Sequence, residues 1–202
     1  IYHNNLLNNP EPFFSYGGSS NFWDDGIEGN FWEEYLGSDM DEDGIGNTPY
    51  PIDENNQDNH PLMGIFMDFN VALEEETHHV YVISNSTVSN FEFRVTYEPE
   101  VRKSISFNVT GEDGTVGFCR VMIPTALVNY SYTVLVNGEE VNTTVLDVSN
   151  STHAYLYFTY NTSTKNVLIV IESLSGMVLP LLVIHAVLKI VFFKKRRSMI
   201  EL

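Results

Sequence analysis

VLVNGEEV, residues 134–141, places Asn137-Gly138 between an apolar run and a second extended segment. An Asn-Gly pair accepts the positive φ angles of a two-residue hairpin turn, which makes it the strongest short-range hairpin signal in the chain. On either side of it lie HHVYVIS (78–84), FEFRVTY (91–97), SISFNVTG (104–111), VGFCRVMIP (116–124), HAYLYFTY (153–160) and NVLIVIE (166–172). Each is short, rich in β-branched and aromatic residues, and bounded by turn formers. FEFRVT and SISFNV alternate cleanly, as strands with one wet face do. Seven or eight such strands predict an antiparallel β-sandwich of Ig-like kind over residues 78–172, without the disulfide. Cys119 is the sole cysteine, which excludes an intrachain disulfide and a thiolate metal cluster. Its apolar surroundings predict a buried small hydrophobe.

Upstream the pattern changes. Residues 1–63 contain Asn-Asn and Asn-Pro turn signals, paired aromatics, and no Lys or Arg. GSDMDEDGIGNTPY (37–50) sets Asp39, Asp41 and Asp43 at alternate positions ahead of Gly44. Carboxylates at positions 1, 3 and 5 of a loop, with a turn-forming glycine at 6 and the carbonyl of Ile45 at 7, can converge on a hard cation. Asn47 stands at position 9. Tyr50 at position 12 replaces the bidentate Glu of an EF-hand. Asp39, Asp41, Asp43, Ile45 and Asn47 therefore predict a structural calcium loop and not a calcium sensor. Glu42 and Asp53 are further oxygen donors nearby.

Four blocks, NFWD (21–24), GNFWEEYLG (29–37), DMDEDGIGNTPY (39–50) and DNHPLM (58–63), together with YHNN (2–5), resemble the end of NosD-type right-handed parallel β-helix surface proteins. The resemblance covers about the first third of the chain. It implies a last β-helix coil with an aromatic and Asp-rich cap over residues 1–63, and a β-sandwich module following it. An open β-helix end exposes apolar core and unpaired edges, and Phe22, Trp23, Phe31, Trp32 and Tyr35 are suited to cover one. Residues 64–77 read as a linker, with FMDFNVAL able to form a strand and Glu74-Glu75-Glu76 an exposed turn.

The formal charge is −17. Before residue 189 there are five Lys/Arg against 26 Asp/Glu, and from 189 onward five against one. So acidic a body repels phosphate backbones, which argues against nucleic-acid partners. Leu174 to Phe193 is a mostly apolar run of about the ~20 residues that cross a bilayer, followed by Lys194, Lys195, Arg196 and Arg197. The positive-inside rule then predicts one transmembrane α-helix over 173–193, with a cytoplasmic tail at 194–202 and the remainder outside. Pro180 falls early in that helix, where a kink is tolerated. Lys189 is close enough to the basic cluster to snorkel to the same interface. Ile1 opens without an initiator Met or signal peptide, so the expectation is a fragment or a processed chain.

All six Asn-x-Ser/Thr sequons, at Asn85, Asn108, Asn129, Asn142, Asn150 and Asn161, lie in the predicted sandwich. They predict glycosylation, with Asn108 the weakest because it falls within a strand. The functional expectation is a non-catalytic, single-pass cell-surface protein displaying a β-helix toward carbohydrate or surface-layer components. Two alternatives stay open: part of an exported polysaccharide-acting enzyme with its catalytic coils upstream, and a copper maturation factor. Acidic pairs such as Asp24-Asp25 and Glu33-Glu34 form no cleft by themselves. For copper, His60, Met63, Met67, His78 and His79 are the candidate ligands, but adjacent histidines on a strand point to opposite faces, and copper is disfavoured.

Overall fold

The computed structural model describes residues 1–8, 20–97, 101–128 and 131–172. Four short strands open the chain: β1 (Asn5–Leu6), β2 (Phe31–Trp32), β3 (Tyr50–Asp53) and β4 (Asn56–Asp58). Ten more follow: β5 (Ile65–Leu73), β6 (Glu76–Ser84), β7 (Thr87–Thr96), β8 (Arg102–Thr110), β9 (Val116–Pro124), β10 (Ser131–Val136), β11 (Glu139–Glu140), β12 (Thr143–Val145), β13 (His153–Asn161) and β14 (Lys165–Glu172). The last ten form two antiparallel five-stranded sheets, ordered β12-β13-β9-β6-β5 and β11-β10-β14-β8-β7. Val80, Val82, Val121, Ile123, Leu156 and Phe158 of the first sheet share one buried cluster with Ile105, Phe107, Val134, Val167 and Ile169 of the second. The sheets therefore face each other, and neither closes on itself.

The expected hairpin forms as read. Val136 pairs with Glu139, and Asn137 and Gly138 take φ of 52° and 83°, the left-handed conformation that this pair tolerates. Cys119 is fully buried, and desolvation pushes its thiol up to about 12.

The first sheet is covered on both faces, and this organises the whole molecule. Along β9, Cys119, Val121 and Ile123 point into the sandwich, while Phe118 and Met122 join a second cluster on the outer face. That cluster also takes Ile83, Tyr155 and Tyr157 from neighbouring strands and Ile45 and Leu62 from the N-terminal segment. Burial of Ile45 and Leu62 contributes about 1.5–3 kcal/mol each to holding that segment in place. At the edge strand β5, the Asn5 amide accepts from Phe66 N at 2.8 Å and donates to Phe66 O at 2.8 Å, so one side chain pairs like a strand residue. The His3 ring stacks on Phe66 at 4.1 Å.

The described structure corrects the predicted fold in its N-terminal cap and in its sandwich topology, while the chain is mainly β as expected. Among the described residues of the N-terminal segment no closed β-helix coil forms: main-chain bonds join residues 3–6 to 29–33, and those to 60–62, in parallel, and no sheet closes on itself. These three short rungs do not wrap a coil of their own, and Ile45 and Leu62 turn onto the sheet instead. Trp23 and Trp32 are buried, whereas Phe22 is 89% exposed and covers nothing. The sandwich is not Ig-like. In that fold the partner of the second strand is flanked by the strand just before it in sequence, whereas β6 pairs with β9, and β9 is flanked by the later β13. The sheet also begins at Ile65, so residues 64–77 are the β5–β6 hairpin and not a linker. Finally, the described residues contain no helix, and hence none long and apolar enough to cross a membrane. The predicted membrane helix, with Leu174, Pro180, Lys189, Lys194, Lys195, Arg196 and Arg197, lies outside the described residues.

Candidate functional site

The Asp loop is held at its base by main-chain and phenol contacts. Asn47 N donates to Ser38 O at 3.0 Å, and Tyr35 Oη donates to Thr48 O at 2.6 Å. Within the loop, Asp39 accepts from Asp43 N and Gly44 N, and Asp43 accepts from Ile45 N. Gly44 has φ of 87°, the left-handed turn that lets the chain fold back under the carboxylates. One oxygen from each of Asp39, Asp41 and Asp43 lies within 4.8 Å of the others, a spacing that can hold a metal ion. Asn47 is turned inward to the loop itself: its Nδ2 donates to Asp41 at 2.9 Å and its Oδ1 accepts from Met40 N at 2.5 Å.

Crowding of like charge shows in the ionisation of the loop. Burial pushes the Asp39 and Asp43 carboxyls up, and the Asp41 charge adds to the rise in both. A carboxylate raised in the folded state costs stability once pH is above its folded value, and that cost fades as pH falls toward 3.8. A bound cation removes the same cost at neutral pH.

Arg120 stands directly beneath this loop and was not singled out from the sequence. It is 1% exposed. Its Nε donates to Glu28 Oε1 at 2.7 Å, and its Nη1 donates to the Asp43 carbonyl at 2.8 Å, with Asp43 Oδ2 at 3.5 Å. The guanidinium lies 5.1 Å from the centre of the Tyr155 ring. Glu28 is buried and meets His3 Nε2 at 3.0 Å through its other oxygen. One cation from β9 thus joins two separate turns of the N-terminal segment to the sheet. The signal was present: a lone Arg inside the apolar run VGFCRVMIP must find carboxylates when both faces of its strand are covered.

Burial alone would raise the Glu28 carboxyl, but the His3 hydrogen bond and the Arg120 charge and hydrogen bond bring it below its ordinary 4.5. A lowered carboxylate contributes stability that is complete above pH 4.5 and lost as pH falls through the folded value. Glu28→Gln is therefore expected to flatten the acid limb of the stability curve below pH 4.5, read by chemical denaturation at fixed pH steps. An acid limb as steep as in the parent chain would reject this account.

A second polar hub holds the N-terminal segment internally. Asp58, fully buried, accepts from Asn30 N at 2.7 Å, Trp32 Nε1 at 2.9 Å and His60 N at 3.0 Å. Asn30, also fully buried, donates to Trp23 O at 2.8 Å and accepts from Asn4 Nδ2 at 2.9 Å. Asn56 accepts from Trp23 Nε1 and from Asn21 N. Asn and Asp that read as turn punctuation are the core of this segment.

The other predicted positions are dispersed. Of the sequons, Asn85, Asn142, Asn150 and Asn161 are exposed, and Asn108 faces Asn166 across β8 and β14. The Asn85 amide is engaged with Val116 O and Phe118 N, and Asn150 accepts from Thr152 and His153. Asn129 lies outside the described residues. His60 meets Asp24 and His79 meets Asp68, and among the described residues the Asp39–Asp41–Asp43 group is the one that brings three His, Cys, Asp or Glu ligands together. Comparison with protein-family models, curated proteins and solved structures gives no match to this chain.

Proposed function

We propose that the chain is a non-catalytic cell-surface module in which calcium at the Asp loop fastens the N-terminal segment to the β-sheet. The observation that carries this is the convergence of Asp39, Asp41 and Asp43 on a loop whose last carboxylate residue also contacts the buried Arg120. All-oxygen donors in a loop of adjustable size suit calcium better than zinc or copper, which prefer nitrogen and sulfur. With three carboxylates and the Ile45 carbonyl, and without a twelfth-position Glu, the affinity belongs with extracellular modules, on the order of 10⁻⁴–10⁻³ M. The apolar run 174–193 and the basic residues after it support attachment to a membrane, which places the sheets and the loop on the outer side.

Thermal or chemical denaturation of the full chain in calcium and in EDTA tests this reading. About 10 mM calcium is expected to stabilise the protein by about 1.4–2.7 kcal/mol relative to EDTA, given that range of affinity. Asp41→Ala is expected to abolish the difference while leaving the EDTA stability nearly unchanged, since Asp41 is exposed. Identical curves in calcium and EDTA for the parent chain would refute calcium binding.

A further inference from the structure

We infer that a second copy of this chain pairs with the free edge of β7, so that the second sheets of the two copies join into one antiparallel sheet. The sandwich has four sheet edges: β12 and β5 in the first sheet, β11 and β7 in the second. β12 and β11 are three and two residues long, and edges so short offer little to another strand. β5 is engaged at Phe66 by the Asn5 amide, and its one charge, Asp68, has no basic residue on the strand to meet it. β7 is ten residues long, and among the described residues no main-chain bond reaches its outer side.

The far half of β7 lacks the usual guards of an open edge. Natural edges are blunted by proline, by lysine, by inward-pointing charge or by a bulge. From Glu92 to Thr96 β7 has none of these, and its one bulge, at Asn90 and Phe91, precedes that stretch. Phe91 and Phe93 turn inward and are only partly buried against the core, and Phe91 stacks on Phe69 of β5 at 4.2 Å. Glu92, Arg94 and Thr96 alternate with them and are exposed. This side of the sandwich therefore leaves an apolar seam incompletely covered.

Charge identifies the occupant as another β7. Arg94 meets Glu92 of its own strand at 2.7 Å, with the two side chains 68% and 48% exposed. A pair that exposed contributes little and exchanges partners at small cost. An antiparallel pair of β7 strands centred on Phe93 puts Glu92 of each copy opposite Arg94 of the other, with Cβ atoms about 4.5–5.5 Å apart. The same register sets Phe93 beside Phe93 and Phe91 beside Val95 on the inward side. Centring the pair on Glu92 or on Arg94 instead sets like charges opposite each other, which destabilises it. Strands β7 and β8 also carry Arg94, Arg102 and Lys103 against Glu92 alone, which eases the repulsion between two acidic chains at this edge. The contact uses the same patch on both copies and closes as a dimer. It requires neither metal at the Asp loop nor attachment to a membrane.

The test is sedimentation velocity of the full chain, in a density-matched detergent if one is needed, from about 1 to 100 µM protein. The parent chain is expected to show a reversible equilibrium between monomer and dimer. Glu92→Arg and Arg94→Glu each turn both cross-strand attractions into repulsions. Each is expected to weaken association about tenfold or more, with an unchanged melt because both side chains are exposed. Mixing the two variants, or placing both substitutions in one chain, sets opposite charges across the seam again and is expected to restore the dimer. The proposal is overturned by a parent chain that stays monomeric over that range, by a dimer that both single variants keep, or by variants whose mixture fails to associate. Association through the apolar run 174–193 would give the second of these results. Calcium binding is scored by denaturation and pairing by sedimentation, so either reading can fail alone.

Discussion

Replacing Arg120 by leucine is expected to lower the stability of the N-terminal segment by about 3–5 kcal/mol, because it leaves Glu28 as a buried charge without its guanidinium partner. The change also deprives the Asp43 carbonyl of its donor, so the Asp loop loses its hold on β9. Both tryptophans of the chain, Trp23 and Trp32, lie in the N-terminal segment, and their fluorescence reports on it alone. Arg120→Leu is expected to shift the fluorescence transition to lower denaturant while far-UV circular dichroism, dominated by the two sheets, moves less. A variant carrying both Arg120→Leu and Glu28→Leu is expected to regain most of the loss, since a buried ion pair replaced by apolar groups is often neutral or better. Coincident, unshifted transitions in the single variant would show that the buried pair does not fasten the segment.

Asp58→Ala is the second large effect. Its carboxylate satisfies the Asn30 and His60 amides and the Trp32 indole in a place closed to water. Each buried donor left without an acceptor costs about 1–3 kcal/mol, so the expected loss is about 3 kcal/mol or more. Asp58→Asn is a sharper probe. It keeps the volume but turns one acceptor oxygen into a donor, which meets either the His60 amide or the donors on the other oxygen. It is expected to destabilise the segment nearly as much as the alanine variant, with the Trp32 emission shifted toward that of exposed indole. An asparagine variant as stable as the parent would mean that the volume at this position matters and its hydrogen bonds do not.

These two predictions concern residues of unequal visibility. Asp58 stood within DNHPLM and was attributed to a block of resemblance. Its role as an acceptor for Asn30 and Trp32 depends on contacts 28 and 26 residues apart, which no local pattern encodes. Arg120 was visible as a lone charge in an apolar run, and only its partners were hidden. The Asp loop, by contrast, was legible because its carboxylates and its turn glycine lie within six consecutive residues and form the loop locally. The outer-face cluster was not legible, since it is assembled by the register of β6, β9 and β13, strands far apart in the chain.

The alternation, the turn formers and the Asn-Gly pair were enough to place seven of the sandwich strands, from HHVYVIS to NVLIVIE, because strand formation and hairpin turns depend on near neighbours. What they leave undetermined is which strand pairs with which. A sheet hydrogen-bonds alike to any extended neighbour, so strand order is chosen by how the apolar faces fit together over long sequence separations. That choice put β6 beside β9 and not in an Ig arrangement, and it exposed an outer face of Phe118, Met122, Tyr155 and Tyr157 that had to be covered. The N-terminal segment covers it. Residues that read as the end of a stacked coil are therefore a layer on the sheet, and the Asp loop lies where that layer is joined to β9 by Arg120.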